Sequence, residues 1–149
     1  MNKLIYIING PNLNKLGSRE PSKYGKKNID DLKNLCVDTC EKNDLELNFY
    51  QSNSEADIIN KIHEANDKAG AILINAAAFT HTSVAIFDAL SMFQGPIIEI
   101  HITNIHSREK FRHKSFISNV AYGIIAGFGL KSYQLAIEAI KDKLDEDNE

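Results

Sequence analysis

Continuous apolar runs rich in Ile, Leu and Val recur along the chain, and segments with helical periodicity separate them. The runs span 4–9, 45–50, 71–76, 96–102 and 120–127. Runs without alternating polar residues are typical of parallel strands that are buried on both faces of a sheet. Parallel strands also need long crossover connections, which are usually helices. The pattern therefore predicts an α/β domain with helices on both faces of five parallel strands.

Four amphipathic segments fit this scheme as helices. They span 29–42, about 54–70, 82–93 and 132–144, and the acidic tail at 145–149 is expected to fray. Asn28 and Ser54 stand at the N-cap positions of the first two segments, and an aspartate follows each cap three residues later. The alternation of strands and helices favours an open doubly wound sheet of flavodoxin-like strand order. Ligands bind such sheets at the carboxyl ends of the strands.

Composition limits the class of protein further. A chain of 149 residues that is 43% hydrophobic can bury a full core, which indicates a single domain over 1–149. A formal charge of −3 gives no general attraction to nucleic acid or to an anionic membrane. No apolar run reaches the roughly 20 residues of a membrane span, and the N-terminus lacks a signal-peptide pattern. We expect a cytoplasmic protein in which Cys36 and Cys40 are buried, reduced thiols.

A long connection over about 10–27 follows the first predicted strand and contains Asn12, Arg19 and Tyr24. Long loops in compact domains are usually lids or binding loops. Arg19 and Tyr24 could instead be solvated loop residues, but the loop leaves the carboxyl end of a strand expected to be central. The connection lacks both glycine-rich phosphate-binding patterns, which argues against a nucleotide-phosphate loop.

Polar residues also follow the third predicted strand. Asn75 ends the strand, and His81 is expected near the N-terminus of the next helix, where free backbone N–H groups can hold a ligand. Asp88 lies seven residues after His81, on the same face of a continuous helix. A helix-capping role for His81 and simple exposure of Asp88 are the alternatives.

The fourth predicted strand carries Glu99 and His101 on one face. A carboxylate beside an imidazole fixes the tautomer and raises the basicity of the other ring nitrogen, which makes His101 a candidate proton donor. A buried pair without a catalytic role is the alternative. Downstream, Arg108 and Arg112 lie four apart, on one face of an expected short helical turn, and could bind a carboxylate. The histidines form no HExxH or HxH pattern and the cysteines no CxxC pattern, so we expect no metal site.

Four segments in combination resemble type II 3-dehydroquinate dehydratases. They are NGPNLNKLGSREPSKYG at 9–25, QSNSE at 51–55, NAAAFTHTSVAIFDAL at 75–90 and EIHITNIHSREKFRHKS at 99–115. The resemblance implies dehydration of 3-dehydroquinate to 3-dehydroshikimate in the shikimate pathway, without a metal, a Schiff base or any other cofactor. It also implies a homo-oligomer, a dodecamer built from trimers.

The same resemblance implies roles for individual residues. Tyr24 corresponds to the proton-abstracting base, Arg19 to the lid arginine, and Asn12 to the residue that holds a water near the enolate oxygen. His101 corresponds to the acid that protonates the leaving hydroxyl, with Glu99 as its partner. The positions that correspond to substrate-binding residues are Asn75, His81, Ile102, Thr103 and Arg112, with Arg108 beside them. Asp88 corresponds to a residue that reaches the site of a neighbouring subunit.

The chain departs from the usual pattern of this family at a few positions. Ala76-Ala77 replaces a common Pro-Gly pair, and Phe79 replaces a tyrosine. Ser54 stands where a histidine is usual, and Lys15 replaces a leucine. None of the proton-transfer residues is lost, so we expect activity to be retained, with effects on substrate affinity and on the lid.

A flavodoxin-like binding or signalling module for a nucleotide, a flavin or a phosphoryl group is the alternative from another class of protein. Receiver-type modules need clustered acidic residues at the end of the first strand and an aspartate at the end of the third. This chain has Asn9, Asn12 and Asn75 at those ends, which favours the enzyme.

Overall fold

A five-stranded parallel sheet organises the fold, and the computed structural model describes residues 1–18 and 20–149, with every side chain among them except that of Tyr24. The strands are β1 (Leu4–Asn9), β2 (Glu46–Gln51), β3 (Ala71–Asn75), β4 (Ile97–His101) and β5 (Gly123–Ala126). Their order is β2-β1-β3-β4-β5, and all neighbours are parallel. The predicted flavodoxin-like sheet is confirmed.

Helices cover both faces of this sheet. They are α1 (Pro21–Tyr24), α2 (Ile29–Lys42), α3 (Glu55–Lys68), α4 (Val84–Ser91) and α5 (Lys131–Asp147). Alternate strand residues such as Ile7 and Leu73 pack with α2 and α5, while Ile8 and Ile72 pack with α3 and α4. Full burial of one such side chain stabilises the fold by roughly 1.5–3 kcal/mol, which explains why the strands tolerate so few polar residues.

The predicted helix starts at Asn28 and Ser54 are confirmed. The Asp31 N–H donates to Asn28 Oδ1 at 2.9 Å, and the Asn28 N–H donates to Asp31 Oδ2 at 3.0 Å, which completes a capping box. The Asp57 N–H donates to Ser54 Oγ at 3.2 Å. Each cap satisfies an N–H group that the first turn of a helix leaves unpaired. Ser54 therefore has a structural role at the position where a histidine is usual.

The predicted third helix at 82–93 begins too early. A 3₁₀ turn (Ala77–His81) precedes α4, and α4 begins after Ser83, whose Oγ accepts from the Ile86 N–H at 2.9 Å. His81 therefore lies in the turn and not in the first turn of the helix. The prediction that His81 and Asp88 share one helical face is wrong, because the capped start of α4 separates them.

The expectation of a frayed tail at 145–149 is wrong for most of that segment, because α5 continues to Asp147. Lys141 pairs with Asp145 at 3.1 Å and Lys143 pairs with Asp147 at 2.7 Å. Pairs of opposite charge four residues apart stabilise a helix by a few tenths of a kcal/mol each, about 0.2–0.5. These pairs favour helix beyond the predicted end at Leu144.

The two cysteines lie on the buried side of α2. Cys36 and Cys40 are free thiols, as predicted. Burial raises the pKa of Cys40 to about 12 and raises that of Cys36 as well. Both groups therefore remain protonated at neutral pH and pack as small apolar side chains. Within the described residues, no helix is both long enough and apolar enough to cross a bilayer.

The chain makes a close backbone contact where β1 and β3 end. The Gly10 N–H donates to Asn75 O at 2.8 Å, and a Cβ atom at Gly10 would lie 2.4 Å from Ala76 O. Only glycine fits this position without displacing the backbone. The contact brings the start of the long connection after β1 against the segment that follows β3.

Ala77, in that segment, has a φ of +51°. A left-handed conformation costs an L-residue with a Cβ atom roughly 1–2 kcal/mol, and glycine avoids that cost. The Ala77 N–H donates to Asn75 Oδ1 at 3.1 Å, which ties this conformation to the orientation of a predicted site residue. The departure from Pro-Gly thus places alanine where the backbone favours glycine.

We predict that Ala77→Gly raises the free energy of unfolding by about 0.5–1 kcal/mol. Relief of the left-handed strain outweighs the greater entropy of glycine in the unfolded chain, about 0.4–1 kcal/mol. Urea denaturation followed by circular dichroism measures the change. Ala76→Gly is the matched control: Ala76 has a φ of −75° and is buried, so this variant should lose stability. Destabilisation by both variants would contradict the assignment of strain to Ala77.

Candidate active site

A cleft opens at the carboxyl edge of the sheet, between the segments that follow β1, β3 and β4. The predicted site residues that line it are Asn12, Asn75, His81, His101, Ile102, Thr103, Arg108 and Arg112. Glu99 lies two residues before His101 on β4. Asp88 is exposed on α4 and is not among the residues that line the cleft. Arg19 and the side chain of Tyr24 lie outside the described residues.

Glu99 and His101 form a buried pair on one side of β4. Their side chains are 1% and 4% exposed, and His101 Nε2–H donates to Glu99 Oε2. A carboxylate is the preferred acceptor for an imidazole N–H, and the bond fixes the orientation of the ring. Because Nε2 is engaged, Nδ1 is the nitrogen that remains for a ligand. The structure confirms the predicted pairing of these two residues.

Two serines complete the hydrogen bonding of the Glu99 carboxylate. Ser115 Oγ donates to Oε2 at 2.8 Å and Ser118 Oγ donates to Oε1 at 2.5 Å. Burial by itself raises the pKa of Glu99, but the hydrogen bonds from His101, Ser118 and Ser115 outweigh burial and hold that pKa below its ordinary value. Glu99 is therefore an ionised carboxylate at neutral pH. No sequence pattern predicted these two contacts.

His81 lies beside His101 across the cleft. The two rings are stacked, with centroids 6.5 Å apart and planes at 17°. His81 Nδ1–H donates to Lys114 O at 2.8 Å, so Nε2 is the acceptor nitrogen of the neutral ring. Burial lowers the pKa of His81, so the ring is neutral at pH 7 and can accept a hydrogen bond from a hydroxyl group.

Arg108 and Arg112 supply positive charge to the cleft, but not from one helical turn as predicted. Two separate 3₁₀ turns, Ile105–Ser107 and Lys110–Arg112, occupy this segment, and Arg108 lies between them. Spacing alone cannot distinguish this arrangement from a single turn. Both arginines nevertheless line the cleft, where planar guanidinium donors suit a carboxylate or a pair of hydroxyls.

Glu109 lies against both arginines. Arg112 Nε donates to Glu109 Oε2 at 2.6 Å, and Arg108 Nε lies 3.8 Å from the same oxygen. The Glu109 backbone N–H and then Arg112 lower the pKa of Glu109 to about 2. Arg108 Nη1 also donates to Thr103 Oγ1 at 3.4 Å, which links the arginine to a predicted binding residue. These contacts orient the guanidinium groups.

Asn12 belongs to the part of the long connection that lines the cleft. Its backbone is left-handed, with a φ of +71°, a conformation that asparagine adopts more readily than most residues. The Asn12 N–H donates to Asn53 Oδ1 at 2.9 Å, so the segment after β2 holds this position. Asn53 is a further supporting residue that we did not predict. Among the described residues, no group of three or more His, Cys, Asp or Glu side chains could hold a metal ion.

Comparisons with known proteins identify the family of this chain. A family model described as Dehydroquinase class II matches residues 3–141 of the chain. A 3-dehydroquinate dehydratase from Cereibacter sphaeroides is 50% identical over 140 residues, which cover 94% of this chain and 95% of the relative. The chain belongs to the class II dehydroquinase family. Since dehydratases are hydro-lyases, this family membership makes the chain an enzyme of that class.

Further relatives show a comparable extent of similarity. A catabolic 3-dehydroquinase from Debaryomyces hansenii is 51% identical over 145 residues, which cover 96% of this chain and 100% of the relative. The crystal structure of a type II dehydroquinase from Propionibacterium acnes superposes with a TM-score of 0.92 at 42% identity, covering 95% of this chain and 98% of that one. The resemblance inferred from the sequence is therefore confirmed.

In this class II dehydroquinase, a buried hydrogen-bond network on the side of α2 and α5 orients the amide of Asn75. Tyr133, on α5, is completely buried; its hydroxyl donates to Asn9 Oδ1 at 2.6 Å and accepts from Asn75 Nδ2 at 2.9 Å. Asn9 Nδ2 donates to Tyr50 O at 3.0 Å. Backbone groups at both ends of the network, Tyr50 O and the Ala77 N–H, determine which way each amide points. Burial raises the pKa of Tyr133, which keeps its hydroxyl a donor.

We predict that Tyr133→Phe lowers the free energy of unfolding by about 1–3 kcal/mol, because buried polar atoms of Asn9 and Asn75 lose their partner. Thermal and urea denaturation measure the loss. Tyr122→Phe removes a hydroxyl from a residue that is 57% exposed, and it should change stability by less than about 0.5 kcal/mol. Equal stability of the Tyr133→Phe variant and the unmodified protein would show that the network contributes nothing.

Proposed function

We propose that this chain dehydrates 3-dehydroquinate to 3-dehydroshikimate, a step of the shikimate pathway. The observation that carries the proposal is the buried Glu99–His101 pair. His101 lines a cleft together with Asn75, Arg108 and Arg112. An elimination beside a ketone needs a base, a group that stabilises an enolate, and an acid for the leaving hydroxyl. The residues of this chain can supply all three without a cofactor.

Substrate binding relies on local positive charge, because the chain as a whole is acidic. The substrate carries a carboxylate, a ketone and several hydroxyl groups. Arg112 and Arg108 present guanidinium groups to these oxygens, and His81 Nε2 is an acceptor for a hydroxyl. The backbone at Ile102 and Thr103 and the amide of Asn75 complete the proposed binding set.

Tyr24 is the proposed base. A tyrosine ordinarily titrates near 10, and a cation within a few Å lowers such a pKa by roughly 1–3 units. Arg19 and Arg108 are the cations proposed to act on Tyr24. The tyrosinate removes the proton next to the ketone, and the electrons pass to the ketone oxygen to form an enolate. Asn12, with a bound water, stabilises the enolate oxygen.

His101 is the proposed acid. As the enolate electrons return to form the carbon–carbon double bond, the carbon–oxygen bond of the leaving hydroxyl breaks, and His101 donates a proton so that water departs. Glu99 holds the imidazole and stabilises its charged form before the transfer. Because Tyr24 and Arg19 belong to the connection after β1, closure of that connection would bring the base to the substrate and exclude water.

We further propose that the chain assembles into trimers and then a dodecamer. Asp88, exposed on α4 and outside the cleft of its own subunit, would contribute to the site of a neighbouring subunit.

The proposed reaction is tested by adding 3-dehydroquinate and following the ultraviolet absorbance of the conjugated enone. We expect Tyr24→Phe to lose at least about 100-fold in kcat, since only the ionisable oxygen is removed. Calorimetry should find its affinity for the substrate or product within a few-fold of the unmodified enzyme. Substantial activity in this variant would rule out the tyrosinate.

His101→Ala separates the two halves of the elimination. If Tyr24 forms the enolate, this variant should still exchange the proton next to the ketone with solvent deuterium while it barely releases product. Proton NMR of the substrate in D2O measures exchange, and the enone assay measures release. Parallel loss of both would reassign His101 to binding or to the first proton transfer.

A further inference from the structure

The segment 114–118 folds back onto both histidines of the cleft. Lys114 O accepts from His81, and the hydroxyls of Ser115 and Ser118 donate to the carboxylate behind His101. The segment is itself anchored, because the Phe116 N–H donates to Thr80 O at 3.0 Å, in the turn that carries His81. One short stretch of chain therefore sets the orientation of two rings that are stacked on each other.

We propose that Ser115 and Ser118 are positioning residues for the acid: they hold Glu99 as a fixed, ionised acceptor, so that His101 keeps one tautomer and one orientation. The inference rests on the proposed function only in naming His101 as the acid. The geometry of the serines, the carboxylate and the imidazole stands without it.

Neutral donors suit this position better than cations would. A buried carboxylate must have its lone pairs satisfied, and the two hydroxyls and the imidazole supply three hydrogen bonds to Glu99. Hydroxyls stabilise the anion without cancelling its charge, so the full negative charge remains to stabilise the imidazolium of His101. A lysine or arginine at Ser118 would satisfy the carboxylate equally well but would oppose that imidazolium.

Apart from these hydrogen-bond partners, the side chains around Glu99 are apolar, and the other charged groups line the cleft. Its register neighbours on the adjoining strands are Ile74 and Ile124, and α3 and α4 present apolar side chains to this side of the sheet. Among the described residues, the other titratable or charged groups that line the cleft with His101 are His81, Arg108 and Arg112, and the His81 ring stacks on that of His101. These groups are common to the unmodified enzyme and to any serine variant, so a difference between the two reports on the serine.

Ser118→Ala removes one donor from the carboxylate. Glu99 then binds a proton more readily, and the Glu99–His101 pair takes up its second proton at a higher pH. We expect the acid limb of the kcat/KM profile to move to higher pH by about one unit, with a smaller change on the alkaline side. Ser118→Thr keeps a hydroxyl, so the acid limb of its kcat/KM profile should lie at the same pH as that of the unmodified enzyme.

Two controls separate positioning from a loss of structure. Ser91→Ala removes a hydroxyl that bonds to Phe87 O on α4, away from the cleft, and should leave the profile unchanged. Ser118→Cys keeps the shape of the side chain but donates weakly, and it serves if the alanine variant does not fold. Ser115→Ala would remove two hydrogen bonds and not one, because Ser115 Oγ also accepts from the Ser118 N–H at 3.1 Å.

Nitrogen-15 NMR of the labelled imidazoles follows the titration of the pair in the free enzyme, independently of turnover. An upward shift in both the NMR titration and the rate profile of Ser118→Ala supports the proposal. A shift in the NMR titration alone supports the role of the serine and overturns His101 as the acid. No shift in the NMR titration of Ser118→Ala or Ser118→Cys, with or without a uniform loss of rate at every pH, overturns the serine as a positioning residue.

Discussion

A sheet in which every strand is parallel must be buried on both faces, and this constraint determines where polar side chains can lie. Each crossover returns the chain to the same starting edge, so all five strands end at one opposite edge. Polar groups inside the faces would lose their hydrogen bonds to water, whereas groups at the strand ends can reach loops and solvent. Asn9, Asn75 and His101 occupy such ends. The position of the cleft is thus a consequence of the sheet.

The cleft is supported by two polar systems on opposite faces of this sheet. On the side of α2 and α5, Tyr133 joins Asn9 and Asn75. On the side of α3 and α4, Glu99 is held by His101 and the serines of the segment 114–118. Both systems are satisfied internally, so the groups that face the cleft are oriented before a ligand arrives. Preorganised donors need no rearrangement as charge develops, which is the main advantage of a protein site over water.

The features that the sequence predicted depend on short-range patterns. Strand ends follow from the length of apolar runs, which placed Asn75 and His101 at the site, and helix starts follow from caps such as Asn28. Tyr133 and Ser118 were missed because their partners lie far away along the chain and are brought near only by tertiary packing. Spacing also failed for Arg108 and Arg112, since residues four apart satisfy an α-helical turn and two 3₁₀ turns equally well.

The proposed acid and base are carried by different kinds of structure, and the proposed chemistry gives a reason. The acid must meet the leaving hydroxyl at one defined point, and a side chain on β4 with a buried carboxylate behind it has little freedom to move. The base must approach a proton that is accessible only after the substrate has entered, which suits a residue on the connection after β1. Gly17 anchors that connection at φ +92°, where a Cβ atom would lie 2.8 Å from Lys26 O. Because the proposed acid belongs to the sheet and the proposed base to the connection, the position of the base would be set independently of the packing that holds the acid.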